Sequence, residues 1–353
     1  MRKRPLAVVL AALLVVLLAV AGGGAWWWHQ HDRTTLQRAV ALAPPDAERL
    51  SWTDWAAVRH ELGASLSASS PVGRLRHFLG RGYDADLTSS SALVQSAPVL
   101  QTTYGFSPAT ADWELFSQST RGAVVILHLP DGTDFDRIGT DLEEAGYTRP
   151  STDTGVWDGG EDLLGTIGPD LTPELQYVAL DAADHLVLTS DNASYLRRAV
   201  GAAGSGDGPS EQLTHVADAS GSPLSAAIYD GDYTCSALAM GHADAADQAA
   251  GAQLLRAAGQ VNPVEGFAMS VQPDRHVRVV MSFDGADQAR TNADTRAALV
   301  RGPAPGQGGD FGDRFSVRSV TADGDLVLME LVPRPGAYVL SDLSSGPVLF
   351  ATC

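Results

Sequence analysis

The apolar positions at the start of the chain include one unbroken run, unlike the periodic patterns that follow. Three basic residues at positions 2–4 precede the uncharged stretch Leu6–Val20, and Trp26–Trp28 close the segment. A helix of about 23 residues, rising about 1.5 Å per residue, covers roughly 35 Å and can cross a bilayer core of about 30 Å. Basic residues favour the cytoplasmic side, and tryptophans favour the interface. The pattern predicts a membrane anchor over residues 1–28, with the rest exported; a signal peptide cleaved after Ala19-Val20-Ala21 is the alternative.

The exported part mixes strand-like and helix-like patterns. A polar, Ala-rich segment, 29–49, is predicted to be a stalk next to the membrane. Period-two alternation and short β-branched runs predict strands at 112–116, 123–129, 176–180, 185–189, 224–229, 267–271, 277–283, 315–320 and 326–332. Apolar residues three and four positions apart predict helices at 51–62 (capped by Ser51), 75–79, 88–100, 135–145, 194–203, 243–258 and 287–300.

This order of elements predicts an α+β fold. Paired antiparallel strands with intervening helices favour antiparallel sheets covered by helices, placed after an N-terminal transmembrane helix. We expect a first α+β part at 50–204, a Gly-rich linker at 205–222 and a second α+β part at 223–353. The two parts could be similar halves, although no residue string is repeated between them.

Composition excludes several classes of activity. The formal net charge is −18, which argues against binding nucleic acid through a basic surface. Lys3 is the only lysine, so the exported part can carry no P-loop, no Schiff-base lysine and no Ser-x-x-Lys motif. His60-Glu61 lacks the second histidine of a zinc-protease helix, and there is no G-x-S-x-G elbow. The sequence therefore predicts no catalytic residue, no cofactor and no metal, and it favours a non-enzymatic protein while leaving an enzyme open.

The chain has two cysteines, Cys235 and Cys353. Both belong to the part predicted to be exported, where oxidising conditions allow disulfides. We predict a bridge that ties residue 353 to the segment before residue 235. A redox-active or nucleophilic thiol is the weaker alternative, because there is no C-x-x-C pair.

One group of polar residues close to Cys235 is dense enough to consider as a site. It comprises Asp230, Asp232, His242, Asp244 and Asp247. Carboxylates with a histidine could bind a divalent cation or supply acid–base groups. The same residues also suit a turn at 230–232 and a helix cap at Asp244, which is the favoured interpretation.

Three phrases give the chain a resemblance to known proteins: residues 50–55 (LSWTDW), 104–108 (YGFSP) and 340–350 (LSDLSSGPVLF). In these the chain resembles uncharacterised membrane-anchored exported proteins of actinobacteria. The resemblance implies an exported, anchored protein and no particular activity.

Three functions follow as hypotheses. The leading one is a membrane-anchored extracytoplasmic protein that binds an envelope partner or supports the envelope. The second is a carrier of an apolar envelope ligand, since sheets covered by helices can enclose a cavity. The third is a hydrolase that uses Asp230, Asp232 and His242. The expected partners are the membrane, through the first helix, and an envelope protein or apolar ligand, with no nucleic acid; the sequence leaves the oligomeric state open.

Overall fold

A computed structural model describes residues 33–353, and these residues are built around one antiparallel sheet of eleven strands. The order across the sheet is β10-β11-β9-β8-β7-β1-β2-β3-β6-β5-β4. The strands are β1 Arg49–Thr53, β2 Trp113–Ser119, β3 Gly122–His128, β4 Val156–Asp158, β5 Tyr177–Asp181, β6 Leu186–Ser190, β7 Ser225–Asp230, β8 Gly266–Val271, β9 Val277–Ser282, β10 Phe315–Asp323 and β11 Leu326–Pro333. The α+β class and the antiparallel pairing are confirmed, but one sheet runs through both predicted parts.

The two halves of this sheet are connected in the same way. The first half has the spatial order β1-β2-β3-β6-β5, and the second has β7-β8-β9-β11-β10. In each half a first strand is followed by helical segments, a hairpin, a helix and a second hairpin. The first strands, β1 and β7, lie side by side at the centre, with Ser51 opposite Ala227. Strand β4 is an addition at the outer edge of the first half.

Helices cover both faces of the sheet. They are α1 Thr35–Val40, α2 Trp55–Glu61, α3 Val72–Asp84, α4 Ala97–Val99, α5 Phe135–Ala145, α6 Gly160–Ile167, α7 Ala193–Ser205, α8 Glu211–Ala219, α9 Gly231–Tyr233, α10 Ala245–Ala258, α11 Ala286–Leu299 and α12 Val339–Leu343. Helices α1, α7 and α8 bury Leu36, Leu196 and Leu213 against one face. The remaining core lies on the other face, where helices such as α3 and α5 pack. Alternate residues of the central strands therefore enter two separate cores.

Two segments predicted to be connections belong to the folded body. Within the predicted stalk, 29–49, α1 begins at a capping box formed by Thr34, and its apolar side is buried. Within the predicted linker, 205–222, Ser210 caps α8, and Leu213 and Val216 are completely buried. The glycine-rich residues before Ser210 are typical of a linker, but apolar residues at helical spacing follow them directly.

The structure differs from two other predictions, one at the first strand and one at residues 88–100. Ser51 lies inside β1, and Asp54 is the residue that caps α2, by accepting from the backbone N–H of Ala57 at 2.8 Å. The predicted helix 88–100 is mostly turns, with α4 at its end. The buried carboxylate of Glu114 holds this loop, because it accepts from Ser91 Oγ at 2.7 Å and the N–H of Ala92 at 2.7 Å. A third donor is the indole of Trp55 at 3.1 Å.

A buried arginine holds the last residues of the second half in place. Arg296 on α11 is fully buried, and its guanidinium donates to the carbonyls of Asn262 and Phe350 and to Asn292 Oδ1. It also lies 5.3 Å from the ring centroid of Phe283. Burial lowers the pKa of Arg296 to about 9, so the side chain stays charged at neutral pH. Carbonyl dipoles balance this charge, since no carboxylate of residues 33–353 pairs with the guanidinium.

A buried carboxylate connects the two halves. Asp86, which follows α3, accepts from the backbone N–H of Leu340 at 2.8 Å and that of Ser341 at 3.2 Å. These are unpaired donors at the start of α12. Burial raises the pKa of Asp86. The cap therefore fixes α12 of the second half to the end of α3 of the first.

The predicted membrane anchor, residues 1–28, lies outside the described residues. Between residues 33 and 353, no helix has the length and hydropathy needed to span a bilayer.

Candidate functional site

A cleft of about 860 Å³ opens at one end of the central strands, beside α1. We call it the Trp113 cleft. Its walls come from α1, the start of α2, the start of β2, the end of β3 and the turn between β5 and β6. It is lined by Thr35, Arg38, Leu42, Asp54, Ala56, Ala57, Asp112, Trp113, His128, Asp184 and Leu186. This volume lies within the range of about 300–1,000 Å³ typical of small-molecule sites.

A histidine–aspartate pair lies at the mouth of the Trp113 cleft. The hairpin of β2 and β3 brings the two residues together, because the N–H of Asp112 donates to the carbonyl of His128 at 2.8 Å. Their side chains also pair, with His128 Nδ1 3.1 Å from Asp112 Oδ2. The side chains are 28% and 35% exposed, so both reach solvent. Such a pair can exchange a proton with a ligand or accept its hydrogen bonds.

Two tryptophans, Trp113 and Trp52, support the ring of His128. His128 stacks on Trp113 with ring centroids 5.4 Å apart, and Trp113 in turn contacts Trp52 at 5.7 Å. Trp52 and Trp113 are buried, and the indole N–H of Trp52 donates to the carbonyl of Pro223. The tryptophans therefore restrict the orientation of the His128 ring, and Trp113 itself lines the cleft.

The inner wall of the cleft carries a second carboxylate and a nearby cation. Burial raises the pKa of Asp54, while its bond to Ala57 and the charge of Arg59 oppose that rise. The Arg59 guanidinium donates to the carbonyls of Ala109 at 2.9 Å and Ala111 at 2.6 Å. Asp54 and Asp112 both attract this guanidinium, so the inner wall is only partly anionic.

The outer rim of the cleft carries opposite charges on exposed side chains. Arg38 projects from α1, and Asp184 projects from the β5–β6 turn. The apolar residues Leu42 and Leu186 also line the cleft. A cleft with an exposed guanidinium, carboxylates and apolar side chains suits a small ligand that has both charges and an apolar portion.

The polar group predicted from sequence separates into two helix caps. Asp230 caps α9 by accepting from the N–H of Tyr233 at 2.7 Å, and burial raises its pKa. Asp244 caps α10 by accepting from the N–H of Asp247 at 2.9 Å. Asp232 and His242 are exposed. No three His, Cys, Asp or Glu residues in 33–353 are close enough together to hold a metal ion.

The predicted cysteine pair is confirmed. Cys235 and Cys353 form a disulfide, with Cα atoms 5.5 Å apart. The bridge joins the π-helical turn after α9 to the end of the chain, next to the buried residues Leu349 and Phe350.

An apolar depression of about 190 Å³ lies between α10 and α11 and includes Leu254, Ala258, Leu299 and Leu349. It is smaller than the range of about 300–1,000 Å³ usual for ligand sites. It gives little support to the carrier hypothesis.

Asp112 and His128 were not among the site residues predicted from the sequence. The hairpin of β2 and β3 could have indicated them. When the two strands pair about the turn at Thr120 and Arg121, position 113 lies opposite position 128. A register built outward from that turn would have brought Asp112 beside the histidine.

Comparisons with known proteins give no family for this chain. No family model matches it, and no curated protein matches it. Among solved structures, crystal form III of TP0453 aligns with 9% identity and a TM-score of 0.43, covering 87% of this chain and 98% of that one. Crystal form I of TP0453 aligns with 9% identity and a TM-score of 0.39, covering 87% and 96%. These likenesses carry no information about function.

Proposed function

We propose that this chain is a membrane-anchored extracytoplasmic binding protein, and that the Trp113 cleft is its ligand site. The observation that carries the binding role is the cleft of about 860 Å³ in which a fixed, solvent-reachable His128–Asp112 pair faces an apolar wall. Support for the location comes from the basic–apolar–Trp pattern of residues 1–28 and from the disulfide, a bond characteristic of oxidising compartments.

The lining of the cleft favours a small zwitterion, such as a free amino acid. Arg38 offers planar N–H donors for a carboxylate. Asp184 and Asp112 offer acceptors for an ammonium group. Leu42 and Leu186 supply an apolar surface for the remainder of the ligand. The Arg38 guanidinium is exposed and makes two long hydrogen bonds, to the carbonyl of Arg33 and to Thr35 Oγ1, both at 3.4 Å, so an anion can compete for its N–H donors.

Thermal unfolding of the full-length protein in detergent tests the ligand class. The probes are the twenty free amino acids, with glucose and inorganic phosphate as neutral and anionic comparisons. A ligand present at ten times its Kd stabilises the folded state by about 1.4 kcal/mol, which raises Tm measurably. We expect at least one amino acid to raise Tm.

Variants then connect the effect to the cleft. R38Q and D184N remove the two rim charges and should each reduce the Tm increase without changing Tm in the absence of ligand, because both side chains are exposed. D153N is the matched control, since Asp153 is exposed and does not line the Trp113 cleft. If no amino acid raises Tm, or if D153N abolishes the increase as R38Q does, the proposed site is wrong.

Cell fractionation tests the location. The protein should sediment with membranes and resist carbonate extraction, and added protease should digest residues 33–353 in spheroplasts. Protection of this part in intact spheroplasts, with digestion only after lysis, would contradict export.

A catalytic role is the second candidate, and the His128–Asp112 pair favours it. A histidine oriented by a carboxylate is able to act as a general base. H128Q would then abolish a hydrolytic activity detected with generic ester or peptide substrates. Equal activity in wild type and H128Q would exclude this role for the pair.

A further inference from the structure

A second cleft, of about 590 Å³, lies between α8 and one edge of the second half of the sheet. We call it the His215 cleft. One wall is a single stripe of α8, with Glu211, Thr214, His215 and Asp218 at helical spacing. The other wall gathers strand ends: Glu265 before β8, Asp284 after β9 and Asp325 in the β10–β11 turn.

The ionisable residues that line this cleft are mostly acidic. Five of its lining residues carry carboxylates, and of the described residues that line it only His215 can become positive. Ion pairing of these carboxylates within residues 33–353 is limited to Asp325, whose side chain lies 3.1 Å from His215 Nε2. The other four are exposed, so like charges face one another across the cleft, and among residues 33–353 neither Lys nor Arg lines it.

A buried hydroxyl at the bottom of the cleft provides a separate observation. Ser282 lines the cleft and is only 3% exposed, and its Oγ has no hydrogen-bond partner among residues 33–353. A Cβ on Gly266 would lie 3.2 Å from this oxygen and 3.0 Å from the carbonyl oxygen of Gln212, so the hydroxyl lies where α8 packs on β8. Buried hydroxyls are usually paired, so an unpaired one indicates a missing partner.

We propose that the His215 cleft binds a linear organic polycation of the polyamine class. No three His, Cys, Asp or Glu residues of the described part are close enough to coordinate one ion, so the carboxylates are spaced for a ligand with separated charges rather than a point cation. Ammonium groups are pure donors and match both carboxylates and the free Ser282 oxygen. This site is independent of the Trp113 cleft.

Isothermal titration of the full-length protein in detergent with spermidine tests the proposal. We expect saturable binding that weakens at least about tenfold as salt rises from about 0.02 to 0.3 M, because exposed charges are screened. The double variant D218N/E265Q removes one carboxylate from each wall and should lower affinity about tenfold. Both residues are exposed, so the fold is unaffected.

The control is E161Q/D170N, which makes the same charge change at exposed residues of the first half. It should bind spermidine as wild type does. S282A should weaken binding about two- to fivefold, the effect of one hydrogen bond. Equal affinity in D218N/E265Q and wild type, an equal loss in the control, no loss in S282A, or tighter binding of Ca²⁺ than of spermidine would each overturn the proposal.

Discussion

The Cys235–Cys353 bridge closes a loop that contains most of the second half of the fold, so its removal gives a prediction that can be quantified. The sequence separation is 118 residues. In the chain-entropy relation, a loop of that length restricts the unfolded chain by about 4.9 kcal/mol at 25 °C. The perturbation is the double variant C235S/C353S, which leaves no free thiol.

The folded state should change little when the bridge is absent, because other contacts hold the same residues. Leu349 and Phe350 are buried, Arg296 donates to the carbonyl of Phe350, and the N–H of Val348 donates to the carbonyl of Leu238 at 2.9 Å. The effect should therefore come from the unfolded chain. The free energy of unfolding should fall by about 4–5 kcal/mol, and the m-value should rise, since the unfolded chain exposes more surface.

Urea unfolding followed by far-ultraviolet circular dichroism measures both quantities. Wild type in reducing agent should reproduce the double variant, which separates loss of the bridge from the serine substitutions. A decrease below about 1 kcal/mol, or an unchanged m-value, would refute the view that the bridge acts by restricting the unfolded chain.

Three further predictions concern the buried charged residues. R296M leaves two carbonyls without their donor and should lower the free energy of unfolding by about 3–5 kcal/mol in urea titrations; a loss below about 1 kcal/mol would contradict this. Burial raises the pKa of Glu114, so the folded state loses stability relative to the unfolded chain as pH rises above the ordinary glutamate pKa of 4.5. E114Q should flatten that decline in unfolding measured from pH 4 to 8, and an unchanged slope would count against it. D86A removes the cap of α12 and should cost about 2 kcal/mol by thermal unfolding, whereas D86N, which keeps one acceptor oxygen, should cost less.

Local patterns predicted the hairpins and most long helices because those elements are specified by neighbouring residues. The helix 135–145 was placed with its limits, since Asp134 caps it by accepting from the N–H of Arg137 at 2.9 Å and Gly146 ends it at φ +105°. Strands β8 and β9 were placed within one residue of their ends, because their β-branched and aromatic runs flank a turn.

Elements defined by distant contacts were missed. Strand β1 has only five residues, and it is stabilised by lying between β2 and β7, which are more than 60 residues away. The loop at 88–96 depends on Glu114, a buried acceptor that helical spacing does not reveal. The one-sheet arrangement depends on β1 and β7 pairing, which no local pattern contains.

The candidate sites show the same difference between features specified by neighbouring residues and features that depend on distant contacts. The predicted acidic group around Asp230 and Asp244 consists of local helix caps, which sequence spacing detects well. The Trp113 cleft joins residues from five elements, so only the pairing of β2 with β3 could have been anticipated. The His215 cleft needs α8, which lay in the segment predicted to be a linker.

The central claim is that the Trp113 cleft holds a small zwitterion. A crystal structure of the full-length protein soaked with the amino acid that raises Tm most tests it directly. We predict density between Arg38 and Asp184, with the ligand within hydrogen-bond distance of His128 or Asp112. An empty Trp113 cleft, with the amino acid bound elsewhere, would contradict the claim.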